Sequence, residues 1–133
     1  MSRITLCSSS TFFDKLHEIK ASLEKEGHEV LLPNLETYSH IPEQAQAKIT
    51  YELIRNHFAK IERSDAIYVA NYDKNGIKGY IGGNTFLEMG KAFDCRIPIF
   101  LMNEVPNQSY RDELLAMEPI VIGEDWKKIM RHL

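Results

Sequence analysis

Short apolar runs alternate along this chain with longer stretches in which apolar residues recur every three or four positions. Runs of strand length occupy positions 3–7, 29–32, 66–70, 97–102 and 120–122. After the first run, Phe12, Leu16, Ile19 and Leu23 recur with helical spacing, and Gly27 follows as a stop signal. The pattern therefore predicts an alternation of strands and helices.

The same spacing predicts the remaining helices. They extend from about position 42 to 61, through 86–93, near 110–117 and from 124 onward. The segments 34–42 and 71–83 are predicted to be loops, and the second of them contains several Gly, Asn and Lys residues.

Strands that are apolar without interruption are typical of a parallel sheet covered on both faces. We therefore predict an α/β fold in one domain spanning residues 1–133, with an open five-stranded parallel sheet of the Rossmann or flavodoxin type. The strand order 2-1-3-4-5 suits five such strands. In that order the ligand site lies beyond the carboxyl ends of strands one and three.

Composition narrows the possible partners. The chain has 133 residues, a net charge of −3 and scattered Lys and Arg residues. A polymeric nucleic acid would need a basic face, so we expect none as a partner. No apolar run reaches the roughly 18 residues of a membrane span, so no membrane partner is expected.

The cysteines and the N-terminus indicate the compartment. The first strand begins at once, which leaves no room for a signal peptide. Cys7 and Cys95 lie in or beside apolar runs, and two cysteines cannot form a disulfide framework. We expect both to be buried, reduced thiols in a cytoplasmic protein.

Polar residues follow the two strands that flank the predicted site. Ser8, Ser9 and Ser10 come directly after the first strand, and Asn71 and Asp73 come after the third. The three serines could hold a phosphate or a ribose through their hydroxyls and N–H groups. They could equally be caps of the following helix, and the sequence leaves the two alternatives open.

The most unusual stretch begins at Asn71 and ends at Glu88. Gly82 and Gly83 would let the backbone approach a ligand closely, and Asn84 or Thr85 could begin a helix with free N–H groups. Glu88 has two interpretations. It is either a carboxylate aimed at an electrophilic carbon or the partner of Thr85 in a capping box.

Other polar residues carry weaker signals. His57 lies at the edge of the second helical stripe, where it is either a partly packed surface residue or a group that approaches the site. Lys74 and Lys78 could meet a phosphate or lie in solvent. Neither a complete dinucleotide motif nor a P-loop occurs, and the histidines lack metal-ligand spacing.

Four segments resemble the nucleoside 2-deoxyribosyltransferase superfamily, which includes nucleotide N-glycoside hydrolases. They read Ile-Thr-Leu-Cys-Ser-Ser-Ser, Gly-His-Glu-Val-Leu-Leu-Pro, Ser-Asp-Ala-Ile-Tyr-Val-Ala-Asn and Gly-Gly-Asn-Thr-Phe-Leu-Glu-Met-Gly-Lys-Ala. The resemblance implies that Glu88 is the nucleophile on the anomeric carbon of a sugar. It also implies a homodimer or larger homo-oligomer without a metal or organic cofactor.

Two positions differ from the usual family pattern. His57 stands where the family usually has an acidic residue, and Gly82 stands where an Asp or Ser is common. Glu88 is the one carboxylate with a clear place in the pattern, so the group that protonates the leaving base is unassigned, and His57 and Asp73 are the candidates.

The resemblance implies cleavage or transfer of the N-glycosidic bond of a nucleoside or its monophosphate. The expected substrate contacts lie after the first strand, after the third strand and at the start of the third helix. They are Ser8, Ser9, Ser10, Asn71, Gly82, Gly83, Asn84 and Thr85. The alternative hypothesis is a non-catalytic nucleotide-binding or regulatory module on the same fold.

Overall fold

A parallel five-stranded sheet forms the centre of the structure, a computed structural model that describes residues 2–35, 40 and 42–133. The strands are β1 (Arg3–Cys7), β2 (Glu29–Leu31), β3 (Ala66–Val69), β4 (Ile99–Leu101) and β5 (Ile120–Val121). Their order is β2-β1-β3-β4-β5, and every pair is parallel. The predicted α/β class and strand order are confirmed.

Helices connect the strands. They are a 3₁₀ helix (Ser10–Lys15), α1 (Leu16–Lys25), α2 (Gln44–Thr50), α3 (Leu53–Glu62), α4 (Gly83–Asp94), α5 (Arg111–Ala116) and α6 (Lys127–Met130). The predicted loop 34–42 falls partly outside the described residues. None of the described helices is long and apolar enough to cross a membrane.

Alternation along β1 divides its side chains between two buried clusters. Ile4 and Leu6 face the cluster that contains Leu16 and Leu23 of α1. Cys7 faces the opposite cluster with residues of α3 and α4. Successive side chains in a strand point to opposite faces, so the last residue of β1 is placed under these two helices. This arrangement brings Cys7 close to the candidate site.

The predicted single helix from about position 42 to 61 is wrong. Two helices, α2 and α3, replace it, and Glu52 between them adopts a left-handed backbone with φ of 48°. This conformation is unfavourable for a non-glycine residue by about 1–2 kcal/mol. Within α2, Ala47 is buried and Ile49 is 69% exposed, because residues two positions apart lie on different sides of a helix.

Two further expectations need correction. The last helix begins at Lys127 rather than Glu124. Cys7 is fully buried, as predicted, but Cys95 is only partly buried because it follows the C-terminal end of α4.

His28 is a buried histidine whose two ring nitrogens have no hydrogen-bond partner among the described residues. Burial lowers the pKa of His28 below its usual 6.5, since the charged imidazolium loses its hydration. The unfolded chain therefore binds more protons than the folded one at mildly acidic pH. His28 adds to stability above about pH 6.5 and this contribution is lost as the pH falls.

The change His28→Leu should make the free energy of unfolding fall less steeply as the pH is lowered. The reason is that the variant lacks a histidine that must lose its proton when the chain folds. The effect is at most about 1.4 kcal/mol per pH unit. Urea unfolding of both proteins from pH 7.5 to 5 measures it. An identical slope in the two proteins would contradict the assignment.

Candidate functional site

A cavity of about 950 Å³ opens where segments that follow the carboxyl ends of β1, β2 and β3 converge. Parallel strands bring these ends to one edge of the sheet, and ligands of open α/β folds bind there. The lining includes, on the polar side, Ser10, Thr11, Lys48, His57, Asn84 and Glu88. Of the residues predicted from the sequence, the cavity therefore gathers Ser10, His57, Asn84 and Glu88.

Glu88 lies in the second turn of α4 and is not part of a capping box. The helix begins at Gly83 with Gly82 as N-cap, and no side chain caps it. Thr85 is already inside the helix and buried, so the predicted Thr85–Glu88 box cannot form. The Glu88 side chain is 13% exposed and contributes to the cavity wall.

His57 projects from α3 towards Glu88. Its Nε2 atom lies 3.1 Å from Oε2 of Glu88, and the imidazole is 5% exposed. The packing of α3 against α4 therefore makes His57 a buried neighbour of the carboxylate. The interpretation of His57 as a partly packed surface residue is wrong, because the edge of the α3 stripe is covered by α4.

Cys7 completes this cluster, and the sequence interpretation missed it. Its Sγ atom lies 3.5 Å from Nε2 of His57 and within 4.8 Å of a carboxylate oxygen of Glu88. Two signals could have found it. The alternation along β1 fixes its face, and its place as the last residue of the strand puts it at the ligand edge of the sheet.

Burial dominates the protonation of the cluster. It raises the pKa of Glu88 to about 8 and lowers the pKa of His57 to about 4, because each loses hydration of its charged form. Burial also raises the pKa of the Cys7 thiol, and the nearby Glu88 carboxylate adds to this. Near neutral pH the His57–Glu88 pair therefore holds one proton, and the thiol keeps its own.

Lys48 lines the cavity and brings a positive charge to it. The sequence interpretation did not identify this residue. Its Nζ atom donates to Oδ1 of Asn84 over 3.1 Å. Its charge lowers the pKa of Glu88, against the larger effect of burial. Its place depends on the break between α2 and α3, which the periodicity of the sequence does not reveal.

The three serines after β1 have three different environments. Ser8 is buried and donates to the Ala70 carbonyl over 2.8 Å. Ser9 accepts a hydrogen bond from Nζ of Lys74 over 2.9 Å, and it is the N-cap of the 3₁₀ helix without a side-chain cap. Only Ser10 lines the cavity. Ser9 therefore occupies the cap position that one alternative predicts, but its hydroxyl makes no cap hydrogen bond.

Asn71 and Asp73 stabilise the loop after β3. Nδ2 of Asn71 donates to the carbonyls of Gly79 and Asn103 over 3.2 and 3.0 Å, and the Gly79 N–H donates to Asp73. Neither residue is on the cavity lining, so the cavity gives no support to the expected substrate contact of Asn71 or to the expected proton donation by Asp73. These polar groups pair with backbone groups in the partly buried portion of the loop, where water is less able to do so.

The remaining predicted contacts lie beside the cavity rather than on its lining. They are Gly82, Gly83 and Thr85. A Cβ atom at Gly82 would lie 3.2 Å from the Tyr80 ring, so a larger residue there would require the ring to shift slightly.

Replacing Lys48 by Met should raise the pKa of Glu88 further, because the variant loses the positive charge that favours the carboxylate. Carbon-13 NMR of the labelled glutamate carboxyls, titrated in buffer with EDTA, measures the shift. Lys20→Met removes a charge on α1, outside the cavity lining, and serves as the matched control. Equal Glu88 titrations in the two variants would contradict the role of Lys48.

Comparison with known proteins gives structural matches alone. No protein-family model matches the chain, and no curated protein sequence matches it. The solved structures that match include a 2-deoxyribosyltransferase from Bacillus psychrosaccharolyticus, with a TM-score of 0.57 and 20% identity over 96% of this chain and 90% of the other.

Two further matches have similar extents. A conserved protein from Enterococcus faecalis V583 has a TM-score of 0.64 and 12% identity, over 100% of this chain and 99% of the other. The CMP N-glycosidase BcmB from Clostridium botulinum has a TM-score of 0.54 and 17% identity, over 96% and 97%. The chain therefore has the fold of the nucleoside 2-deoxyribosyltransferase and nucleotide N-glycosidase structures, as the sequence resemblance implied.

Proposed function

We propose that this protein cleaves or transfers the N-glycosidic bond of a nucleoside or nucleoside monophosphate, with Glu88 as the nucleophile. The observation that carries the proposal is the contact between Glu88 and His57 on the wall of a cavity, 3.1 Å apart. One group can attack the sugar while the other moves the proton that the leaving base needs. The similarity to a deoxyribosyltransferase and a CMP N-glycosidase supports this chemistry.

The cavity suits a nucleoside in size and in the character of its walls. Ligand pockets commonly measure roughly 300–1,000 Å³ and combine apolar walls with a few polar groups. Phe13, Leu53 and Phe58 offer an apolar wall for a base. Thr11 and Asn84 supply polar groups for sugar hydroxyls.

In the first step, a carboxylate oxygen of Glu88 forms a bond to the anomeric carbon as the bond from that carbon to the base nitrogen breaks. The electron pair of the broken bond goes to the base, and the proton on His57 neutralises it. A glycosyl ester of Glu88 remains, as in retaining glycoside chemistry. His57 is left neutral.

The attack requires the single proton of the pair to lie on His57. In the empty cavity that proton resides on Glu88, because burial disfavours both charged groups. A sugar that develops positive charge at its anomeric carbon favours the carboxylate, and Lys48 acts in the same direction. Substrate binding therefore draws the proton across the 3.1 Å contact.

In the second step, a water molecule attacks the anomeric carbon and gives one proton to His57. The ester bond breaks, its electron pair returns to Glu88, and the pair again holds one proton. The products are the free base and the sugar or sugar phosphate. If a second base attacks instead of water, the same intermediate gives transfer.

Glu88→Gln should retain the fold and lose base release by several orders of magnitude, because an amide cannot form the glycosyl ester. His57→Asn should cost less, about 10²–10⁴-fold, as expected for one positioned acid or base. Single-turnover release of base from a panel of nucleosides and monophosphates, followed by chromatography, gives these rates. Thermal melts of each variant verify folding.

The matched control is Glu113→Gln, the same chemical change at an exposed position of α5. It should release base as the wild type does. Full activity of Glu88→Gln would exclude the nucleophile. Binding of nucleotides by the wild type without base release from any of them would instead support the non-catalytic binding module.

A further inference from the structure

We propose that Cys7, His57 and Glu88 form a three-ligand site for one divalent transition-metal ion, with Zn²⁺ as the best match. The three residues come from β1, α3 and α4, so the site exists only in the folded chain. Their ligand atoms all lie within 4.8 Å of one another. The proposed glycosidic chemistry does not require this ion, and an ion held by His57 and Glu88 would block that chemistry because both groups would be coordinated. The metal site is proposed independently of that chemistry.

The distances fit a metal with short bonds. Zinc bonds of about 2.0–2.3 Å in a tetrahedral arrangement separate neighbouring ligand atoms by roughly 3.3–3.8 Å. Nε2 of His57 lies 3.1 Å from Oε2 of Glu88 and 3.5 Å from Sγ of Cys7. An ion can therefore reach all three donors with only small rotations of the side chains.

The donor set identifies the class of metal. Thiolate, imidazole and carboxylate together are typical zinc ligands, whereas Mg²⁺ and Ca²⁺ prefer sites made of oxygen atoms. Three protein ligands leave the fourth position of a tetrahedral ion to water. His57 and Glu88 line the cavity, so that position and the entry route for the ion face its interior.

Charge balance favours the bound state in this buried place. The thiol proton of Cys7 and the single proton of the His57–Glu88 pair leave as the ion enters. The thiolate and the carboxylate then carry two negative charges, which neutralise the two positive charges of the metal. A neutral cluster avoids the large cost of placing net charge where the three side chains are 0–13% exposed.

Cobalt tests the site directly, because a Co²⁺ ion bound to a thiolate absorbs through sulfur-to-metal charge transfer. The metal-free protein, kept reduced with a phosphine, is titrated with CoCl₂ and followed by absorption spectroscopy. We expect saturation at one ion per chain, a near-ultraviolet charge-transfer band, and visible bands of a four-coordinate ion. ZnCl₂ should bleach these bands, and MgCl₂ should not.

The chain supplies a matched control for the ligand. Cys7→Ser should lose the charge-transfer band, and Cys95→Ser should keep it, because Cys95 is the other cysteine and lies outside the cluster. Glu88→Gln serves as a second variant in case Cys7→Ser does not fold. It should weaken cobalt binding at least tenfold.

Three results would overturn the site. They are a folded wild type without the charge-transfer band, a band that persists in folded Cys7→Ser, or unchanged cobalt affinity in folded Glu88→Gln. The readout is independent of base release. Base release is assayed on the metal-free protein in EDTA, because an ion on Glu88 would block its attack. A protein that binds cobalt but cleaves no nucleoside when metal-free contradicts the proposed function alone, and one that cleaves nucleosides without binding cobalt contradicts the metal site alone.

Discussion

The site depends on the burial of an ionisable pair, Glu88 and His57, between two helices that pack on one face of the sheet. Removing both groups from water is costly unless each has a polar partner nearby. Their mutual contact of 3.1 Å and the Cys7 thiol supply those partners. The same burial raises the pKa of Glu88 and lowers the pKa of His57, so the pair holds one proton near neutral pH. The protonation state of the site is therefore set by its exclusion of water.

The parallel sheet holds this pair in place. Cys7 is level with Val69 in the register of β1 and β3, which brings the end of β1 beside the strand that leads to α4. Asn71 then fixes the start of the following loop through bonds to Gly79 and Asn103. The loop is an internal support, and it sets where α4 begins and hence where Glu88 projects.

One strained residue shapes the opposite wall of the cavity. Glu52 adopts a left-handed backbone, and the chain changes direction there between α2 and α3. As a result α2 carries Lys48 to the cavity, where it contacts Asn84 at the start of α4. The cation that acts on Glu88 thus comes from a segment whose position local sequence preferences did not indicate.

The sequence by itself determined the layered α/β architecture and the strand order, and it made Glu88 a candidate site residue. Continuous apolar strands and helical stripes reflect local periodicity, and the crevice position follows from topology. Only the tertiary structure decided that Glu88 contacts His57 and Cys7 rather than its own helix terminus, and that Asn71 and Asp73 support a loop. Those outcomes depend on how α3 packs against α4 and on the start of α4, whose N-cap is Gly82 rather than Thr85, three residues earlier. Packing between segments that are distant in the sequence determines the contacts of Glu88 and the start of α4, and local hydrophobic patterns cannot predict such packing.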